Sequence, residues 1–211
     1  MLFRALICTT EPTFSTEREY HAPAETQRSA IKSEKEIRMI SDQLKLRELR
    51  VEDELSFLNA IREFEDPEIQ FAFEYDPAMS FIKYVQMVNS WPHGKCLPKN
   101  FVPSTYFVGV VDDVIVGRLS FRHRLNNLLE RIGGHIGYAV IPSQRGRGYA
   151  KSMLRQSLAF AKAKGQNRIL ITSDTNNIAS IRVIEANGGV LENITNDPDL
   201  KIQKLRYWIE L

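Results

Sequence analysis

The fold is decided by residues 133–150, which run Gly133-Gly-His-Ile-Gly-Tyr-Ala-Val-Ile-Pro-Ser-Gln-Arg-Gly-Arg-Gly-Tyr-Ala150. Residues 136–140 form an apolar run that Pro142 ends, which is typical of a buried strand. Apolar and small residues then recur at helical spacing from Ala150 to Ala161, and Gly165 follows them. This spacing predicts an amphipathic helix that begins near Tyr149. The stretch is therefore predicted to be a strand, a tight glycine turn and a long helix.

The turn between this strand and this helix has the chemistry of an anion site. The first backbone N–H groups of a helix lack intrahelical partners, and the helix dipole favours negative charge there. Gly146 and Gly148 let the backbone approach a ligand closely, and Arg145 and Arg147 add positive charge. The chain has neither a P-loop motif nor the third glycine of a dinucleotide site. From the turn alone, a glycine turn that merely starts a helix remains an alternative.

A second informative block lies downstream, Asn177-Ile-Ala-Ser-Ile-Arg-Val-Ile-Glu-Ala-Asn-Gly-Gly189. Arg145-x-x-Gly148-x-Ala150 resembles the Q/R-x-x-G-x-G/A pyrophosphate signature of the GNAT superfamily of N-acetyltransferases, and the second block resembles its asparagine-led helix. The two blocks stand in the family's order, and the resemblance covers residues 44–211. Within the superfamily, the chain is similar to uncharacterised predicted acetyltransferases with a Gly-Gly-His-Ile-Gly-Tyr run and a Tyr-Trp-Ile ending, here residues 207–209.

This resemblance implies a fold and a co-substrate. The fold is α/β (α+β), with a mixed, mostly antiparallel central sheet and helices on both faces. The co-substrate is acetyl-CoA, whose pantetheine arm pairs with the strand and whose pyrophosphate lies on the turn. The Val140 amide would then donate to the oxyanion of the reaction. Asn177 has a second interpretation, since either Asn176 or Asn177 suits a helix N-cap. The cofactor-binding residues that follow from the resemblance are Ala139, Val140, Arg145, Gly146, Arg147, Gly148, Tyr149, Ala150, Asn177 and Ser180.

The resemblance also gives two candidate catalytic residues. Acetyl transfer needs a deprotonated amine and a protonated thiolate. Many family members place a tyrosine acid on the asparagine-led helix, where this chain has Ile184. Tyr138 is the candidate substitute for that acid, and protonation of the thiolate by solvent is the alternative. His135 is the candidate base, although strand alternation places it opposite the face of residues 134, 136 and 138; Glu130 is a further candidate.

The activity that the resemblance implies is N-acetylation by direct attack of a primary amine on acetyl-CoA in a ternary complex. The expected acceptor is a small-molecule or peptide amine. An acidic, aromatic loop at 64–76 lies where the family walls its acceptor pocket, and its carboxylates would attract a cationic amine unless the loop is merely solvated. Because the usual tyrosine is missing, a non-catalytic acyl-CoA-binding sensor is the alternative function. Nucleic-acid binding is disfavoured, since the arginines at 118, 122, 124, 145 and 147 lack interleaved aromatic residues.

Further elements are predicted on either side of residues 133–150. Strict alternation at 44–49 predicts a first strand. Val51, Leu55, Leu58 and Ile61 recur at helical spacing and predict an amphipathic first helix. Asp76-Pro77 predicts the start of a second helix. The remaining predicted elements are a hairpin of 106–111 and 114–121 around Asp112-Asp113, a buried strand at 169–172, a helix at 178–186, and short strands near 190–191 and 205–209.

Composition limits the remaining classes of function. The 211 residues accommodate one domain, predicted at 39–211, and 1–38 are predicted to be a flexible or weakly structured extension, or an upstream extension of a reading frame that begins at Met39. A net charge of +2 and the lack of a long apolar run predict neither a nucleic-acid nor a membrane partner. Cys8, Cys96 and the four histidines fit no metal spacing. We therefore expect no metal, reduced thiols, a cytoplasmic location, and a monomer or homodimer.

Overall fold

The computed structural model of the chain describes residue 41 and residues 43–64, 70–197 and 202–211. The predicted extension at 1–38, the proposed start at Met39 and the Cys8 thiol lie outside the described residues. Within the described ranges, no helix is both long enough and apolar enough to cross a membrane.

The regular elements follow the predicted order. A π-helical turn at Leu129–Gly133, where no helix or strand was predicted, precedes the fourth strand. The strands are β1 Lys45–Glu48, β2 Ser104–Val111, β3 Val114–Arg122, β4 Ile136–Val140, β5 Arg168–Asp174, β6 Val190–Asp197 and β7 Ile202–Glu210, and the helices are α1 Glu54–Glu63, α2 Phe81–Ser90, α3 Tyr149–Ala163 and α4 Ile178–Glu185.

The strands form two antiparallel sheets. One has the order β1-β2-β3-β4 and the other β5-β7-β6. The predicted α/β fold class is confirmed, but the single central sheet is divided, because the hydrogen-bonded ladder stops between β4 and β5. The two sheets meet where the N–H of His135 donates to the Leu170 carbonyl at 2.7 Å. A side chain at Gly134, whose φ is +63°, would lie 2.6 Å from that carbonyl oxygen, so glycine permits this approach.

Helices cover both faces of the first sheet, as predicted. Successive residues of β2 alternate between two apolar cores: Phe107 packs with α3, whereas Tyr106 and Val108 pack with α1 and α2. The first core contains Leu119 and Leu154, and it continues into the second sheet. Each face of β2 and β3 is therefore buried under a helical layer.

The predicted buried face of the first helix is wrong. Val51 is 42% exposed and Leu55 is 72% exposed, whereas Phe57 and Ala60 are buried. The reason is aromatic packing, since the Phe57 ring lies 5.3 Å from the ring of Phe81 between centroids. Burying a large ring contributes more than burying the smaller aliphatic side chains. The helix therefore turns Phe57 toward the core.

The predicted start of the second helix is also wrong. Asp76 accepts a hydrogen bond from the Ala78 N–H at 2.8 Å and its carbonyl accepts one from the Met79 N–H at 2.8 Å, so it closes a separate turn. The helix begins after Ser80, whose backbone is extended. Asp76-Pro77 marks a turn here, because these residues favour turns as strongly as helix starts.

A pair of glycines sets the position of α3. Gly109 and Gly117 face each other across β2 and β3. A Cβ at Gly109 would lie 2.7 Å from the Sδ of Met153. A Cβ at Gly117 would lie 2.9 Å from the Cε of Met153 and 2.7 Å from the Ala139 carbonyl oxygen. The buried Met153 side chain therefore fills the space that two side chains would occupy, and α3 sits close against the sheet.

We expect Gly117→Ala to reduce the free energy of unfolding by about 1–3 kcal/mol, because the added methyl group overpacks a site next to rigid backbone. Gly137→Ala on the neighbouring strand is the matched control, since its Cβ would have its nearest neighbour at 3.6 Å. Urea denaturation of both variants measures the difference. Equal stability of the two variants would show that close packing of Met153 does not constrain the sheet.

Candidate functional site

The strand β4 has one free edge among the described strands, because it pairs only with β3. The Ile141 N–H and the His135 carbonyl both bond to β3, at 3.0 and 2.8 Å. Backbone groups of successive strand residues point to opposite sides. Those of Tyr138 and Val140 therefore point away from β3, along the free edge. Such an edge can pair with an extended ligand as a further strand would.

The turn after β4 directs the start of α3 toward this edge. Gly146 and Gly148 both have φ of +78°, a conformation that side chains disfavour. Gly148 is the N-cap of α3, and the first hydrogen bond of the helix runs from the Ser152 N–H to the Gly148 carbonyl, at 3.1 Å. The preceding N–H groups of the helix have no intrahelical acceptor. They are available to an anion.

A cavity of about 580 Å³ lies along the β4 edge, the turn and α4. This volume is within the range of small-molecule and cofactor sites. Of the cofactor residues predicted from the sequence, Arg147 is exposed and does not line the cavity. The other nine are brought together in its lining: Ala139, Val140, Arg145, Gly146, Gly148, Tyr149, Ala150, Asn177 and Ser180.

The cavity is electrically positive. Arg145, Lys151 and Arg182 line it, and no carboxylate is among its described lining residues. The Arg145 Nε donates to the Val140 carbonyl at 3.2 Å, which fixes this side chain beside the turn. Neither Lys151 nor Arg182 is among the residues predicted from the sequence. Both lie within or next to the two quoted blocks, so a count of cations near each helix start would have found them.

Tyr138 and Ser180 join the strand to α4 inside the cavity. The Tyr138 hydroxyl lies 2.9 Å from the Ser180 Oγ. Burial raises the pKa of Tyr138 to about 12, so the phenol is protonated at neutral pH. The Asn177 side chain accepts a hydrogen bond from the Ser180 N–H at 3.0 Å. The N-cap interpretation of Asn177 is therefore confirmed, and the same residue lines the cavity.

Ile184 lies in the apolar core, fully buried. Gly189 packs against it, because a Cβ at Gly189 would lie within van der Waals overlap of the Ile184 Cγ2 atom. The position at which many GNAT proteins have a tyrosine therefore contributes no polar group here.

His135 lines neither this cavity nor a smaller second cavity that shares Tyr138 with it. Its side chain is 8% exposed, and its Nδ1 accepts a hydrogen bond from the Leu170 N–H at 3.0 Å. Burial lowers the pKa of His135, which keeps the imidazole neutral. This arrangement joins β4 to β5. Glu130 is exposed on the π-helical turn and also lines neither cavity.

A second, smaller cavity of about 130 Å³ shares Tyr138, Asn177 and Ser180 with the first. Asp174 and Lys204 line it, and the Lys204 Nζ lies 2.5 Å from an Asp174 carboxylate oxygen. These two residues are 30 positions apart and meet through the pairing of β5 with β7. Sequence analysis missed them, because no local motif connects them.

The described part of the acidic loop lies against the second core. Phe71 is buried, and the Tyr106 hydroxyl donates to its carbonyl at 2.7 Å. Glu74 and Asp76 are exposed, and neither lines either cavity. Residues 65–69 of the loop lie outside the described residues. The described loop carboxylates therefore do not form a wall of either cavity.

Comparison with known proteins now identifies the family. A family model described as an acetyltransferase (GNAT) domain matches residues 43–190, more than half of the chain. The chain belongs to the GNAT acetyltransferase family. A search of curated proteins gives no significant match.

Solved GNAT structures share the fold. A ribosomal-protein-S5-alanine acetyltransferase from Vibrio fischeri is 18% identical, with a TM-score of 0.56 over 80% of this chain and 93% of that chain. Mycobacterium smegmatis RimJ in complex with CoA-disulfide is 21% identical, with a TM-score of 0.55 over 79% and 81%. A spermidine N-acetyltransferase chimera of Vibrio cholerae SpeG and hSSAT is 18% identical, with a TM-score of 0.52 over 80% and 95%.

We expect the free energy of unfolding to decrease as pH falls below about 6.5. An unfolded imidazole binds a proton near pH 6.5, whereas folded His135 binds one only at lower pH, so the unfolded chain carries more protons in that window. Stability therefore rises with pH up to about 6.5 and is independent of this group above it. Urea denaturation between about pH 5 and 8 measures the slope.

The matched variant is His135→Asn, which keeps a hydrogen-bond acceptor for Leu170 and does not titrate. Its stability should vary less with pH than that of the parent protein. Some dependence remains, because burial also lowers the pKa of His123. If the free energy of unfolding of the variant depends on pH as steeply as that of the parent protein, the pH dependence does not arise from His135.

Proposed function

We propose that this GNAT protein is an N-acetyltransferase that moves an acetyl group from acetyl-CoA to a primary amine by direct attack in a ternary complex. The observation that carries the proposal is the joining of three features in one cavity: the free edge of β4, the start of α3, and the Tyr138–Ser180 pair. A ligand with an amide-rich arm, a pyrophosphate and a thioester matches all three.

Each part of acetyl-CoA has a complementary surface in this proposal. The pyrophosphate lies on the N–H groups at the start of α3, beside Arg145 and Lys151. The pantetheine arm, which carries amide groups, pairs with the backbone of Tyr138 and Val140. This orientation brings the thioester toward Ser180 and the second cavity, through which the amine enters.

The chemical step requires charge stabilisation and one proton transfer. The neutral amine attacks the thioester carbonyl carbon, a C–N bond forms, and the carbonyl oxygen becomes an oxyanion to which an N–H of the free β4 edge donates. The C–S bond then breaks, and the thiolate takes the proton that the amine nitrogen gives up. Tyr138 and Ser180 lie at the junction of the two cavities, where this proton must pass.

The Tyr138 phenol is better suited to donate a hydrogen bond than to give up its proton. An ordinary thiol has a pKa of about 8.5, whereas that of Tyr138 is about 12. Net transfer from the phenol to a thiolate is therefore uphill. We infer that the Tyr138–Ser180 pair stabilises the thiolate and passes on the proton of the amine.

We expect Gly148→Glu to weaken CoA binding by about 100-fold or more, since it places bulk and negative charge at the start of α3. The matched control is Gly165→Glu, at the other end of the same helix, where φ is also positive at +79° and a Cβ would meet no atom within 4 Å. Isothermal titration calorimetry with CoA measures both. An equal effect in the two variants would refute the pyrophosphate site.

We expect Tyr138→Phe and Ser180→Ala each to lower kcat by about 100-fold while CoA binding changes little, because each removes a polar group that acts on the thiolate. Tyr207→Phe is the control, because its hydroxyl lines neither cavity. Thiol release from acetyl-CoA with a panel of amines is the measurement. CoA binding without thiol release from any amine would support the sensor alternative, which the burial of Ile184 in place of the usual acid favours.

A further inference from the structure

Two arginines, the buried Arg118 and the partly buried Arg122, converge on one glycine in the wall of the second cavity. Gly137 lines this cavity. The Arg118 Nη1 donates to the Gly137 carbonyl at 3.4 Å, and a Cβ at Gly137 would lie 3.6 Å from the Arg122 Nη2. Both arginines lie on β3, on either side of Ser120, which is the cross-strand partner of Gly137. The two guanidinium groups therefore lie directly behind this part of the wall.

Neither guanidinium has a carboxylate partner in the described part of the chain. Arg118 is 5% exposed, donates its Nη2 to the Gln70 carbonyl at 2.8 Å, and has no hydrogen-bond partner for its Nε. The Arg122 Nη1 donates to the carbonyls of Gly133 and Gly134, both at 3.0 Å. Carbonyl oxygens satisfy hydrogen bonds without cancelling charge. A buried charge without a counter-ion is costly, which favours an anion nearby.

Arginine side chains stay charged in proteins, and burial does not discharge Arg122. It lowers the pKa of Arg122 to about 10, with the neighbouring charge of Arg118 as the second cause. Arg122 therefore keeps its proton at neutral pH. Its field acts through the protein interior, where the effective dielectric constant is lower than in water.

The opposite wall adds one cation and one anion. Lys204 and Asp174 line the second cavity and pair with each other, and Asp174 is the only carboxylate among its described lining residues. Together with the two arginines, the charged groups around the cavity in the described part of the chain are three cations and one carboxylate. The surroundings of the cavity are therefore positive, and they disfavour a polycation such as a polyamine.

We propose that the acceptor is an amine that also carries a carboxylate, as an amino acid does. The inference rests on the proposed function, since it assigns the second cavity to the acceptor. The carboxylate lies in the second cavity, with the Lys204 ammonium as its direct partner and the charges of Arg118 and Arg122 behind Gly137. The amine of the same molecule then faces the Tyr138–Ser180 junction. When the carboxylate of the acceptor pairs with Lys204, the Asp174 carboxylate loses its ion pair and is hydrated instead. This costs little, because Asp174 is half exposed.

The test compares free amino acids with their amides, which carry the same amine and side chain without the negative charge. Thiol release from acetyl-CoA gives kcat/KM for each, expressed per concentration of unprotonated amine because the two classes differ in amine pKa. We expect kcat/KM for the best amino acid to exceed that for its amide by about tenfold or more, and to exceed that for spermidine by a similar factor. This corresponds to about 1.4 kcal/mol or more of selectivity.

Lys204→Met separates charge recognition from general damage. We expect this substitution to lower kcat/KM for the amino acid about tenfold and to change kcat/KM for the amide by no more than about twofold. The preference for the amino acid over its amide would then be lost. Lys83→Met, at an exposed position on α2 outside both cavities, is the matched control. Equal loss for acid and amide in Lys204→Met would overturn the inference.

The outcomes distinguish this inference from the proposed function. Turnover that favours amides or spermidine in the parent protein would overturn the carboxylate acceptor and leave the acetyltransferase proposal intact. Thiol release from none of the amines would overturn the acetyltransferase proposal itself.

Discussion

The site depends on the separation of β4 from β5. The two strands touch at His135 and Leu170, where backbone and imidazole hydrogen bonds join the sheets, and the ladder goes no further. Gly134 makes this approach possible because a side chain there would strike the Leu170 carbonyl. Beyond this contact β4 has a free edge, and the two cavities lie where a continuous sheet would have left no space. The buried His135 thus holds the two strands together at the end from which they separate.

The second requirement is the close packing of α3 on the first sheet. Met153 fills the space above Gly109 and Gly117, so the helix lies close to the strands and its first turn reaches the β4 edge. The dipole and unpaired N–H groups of that turn then face a cavity lined by cations. The packing of Met153 in the core therefore positions the dipole of α3 at the cavity.

Local sequence rules predicted what depends on local structure. The turn at Arg145–Ala150 and the N-cap at Asn177 follow from glycine and asparagine chemistry at helix starts, and the structure brings both to one cavity. What local rules could not predict depends on tertiary contacts. Aromatic packing turned Phe57 rather than Leu55 inward. The Asp174–Lys204 pair and the arginines behind Gly137 arise from strand pairing between distant segments.

A crystal structure with CoA bound tests the central claim, that the free β4 edge and the start of α3 together form one cofactor site. We expect pyrophosphate oxygens within hydrogen-bond distance of the N–H groups at 146–150. We also expect pantetheine amides paired with Tyr138 and Val140, and the sulfur near the Tyr138–Ser180 pair. CoA bound elsewhere, or with its sulfur turned away from Ser180, would contradict this site.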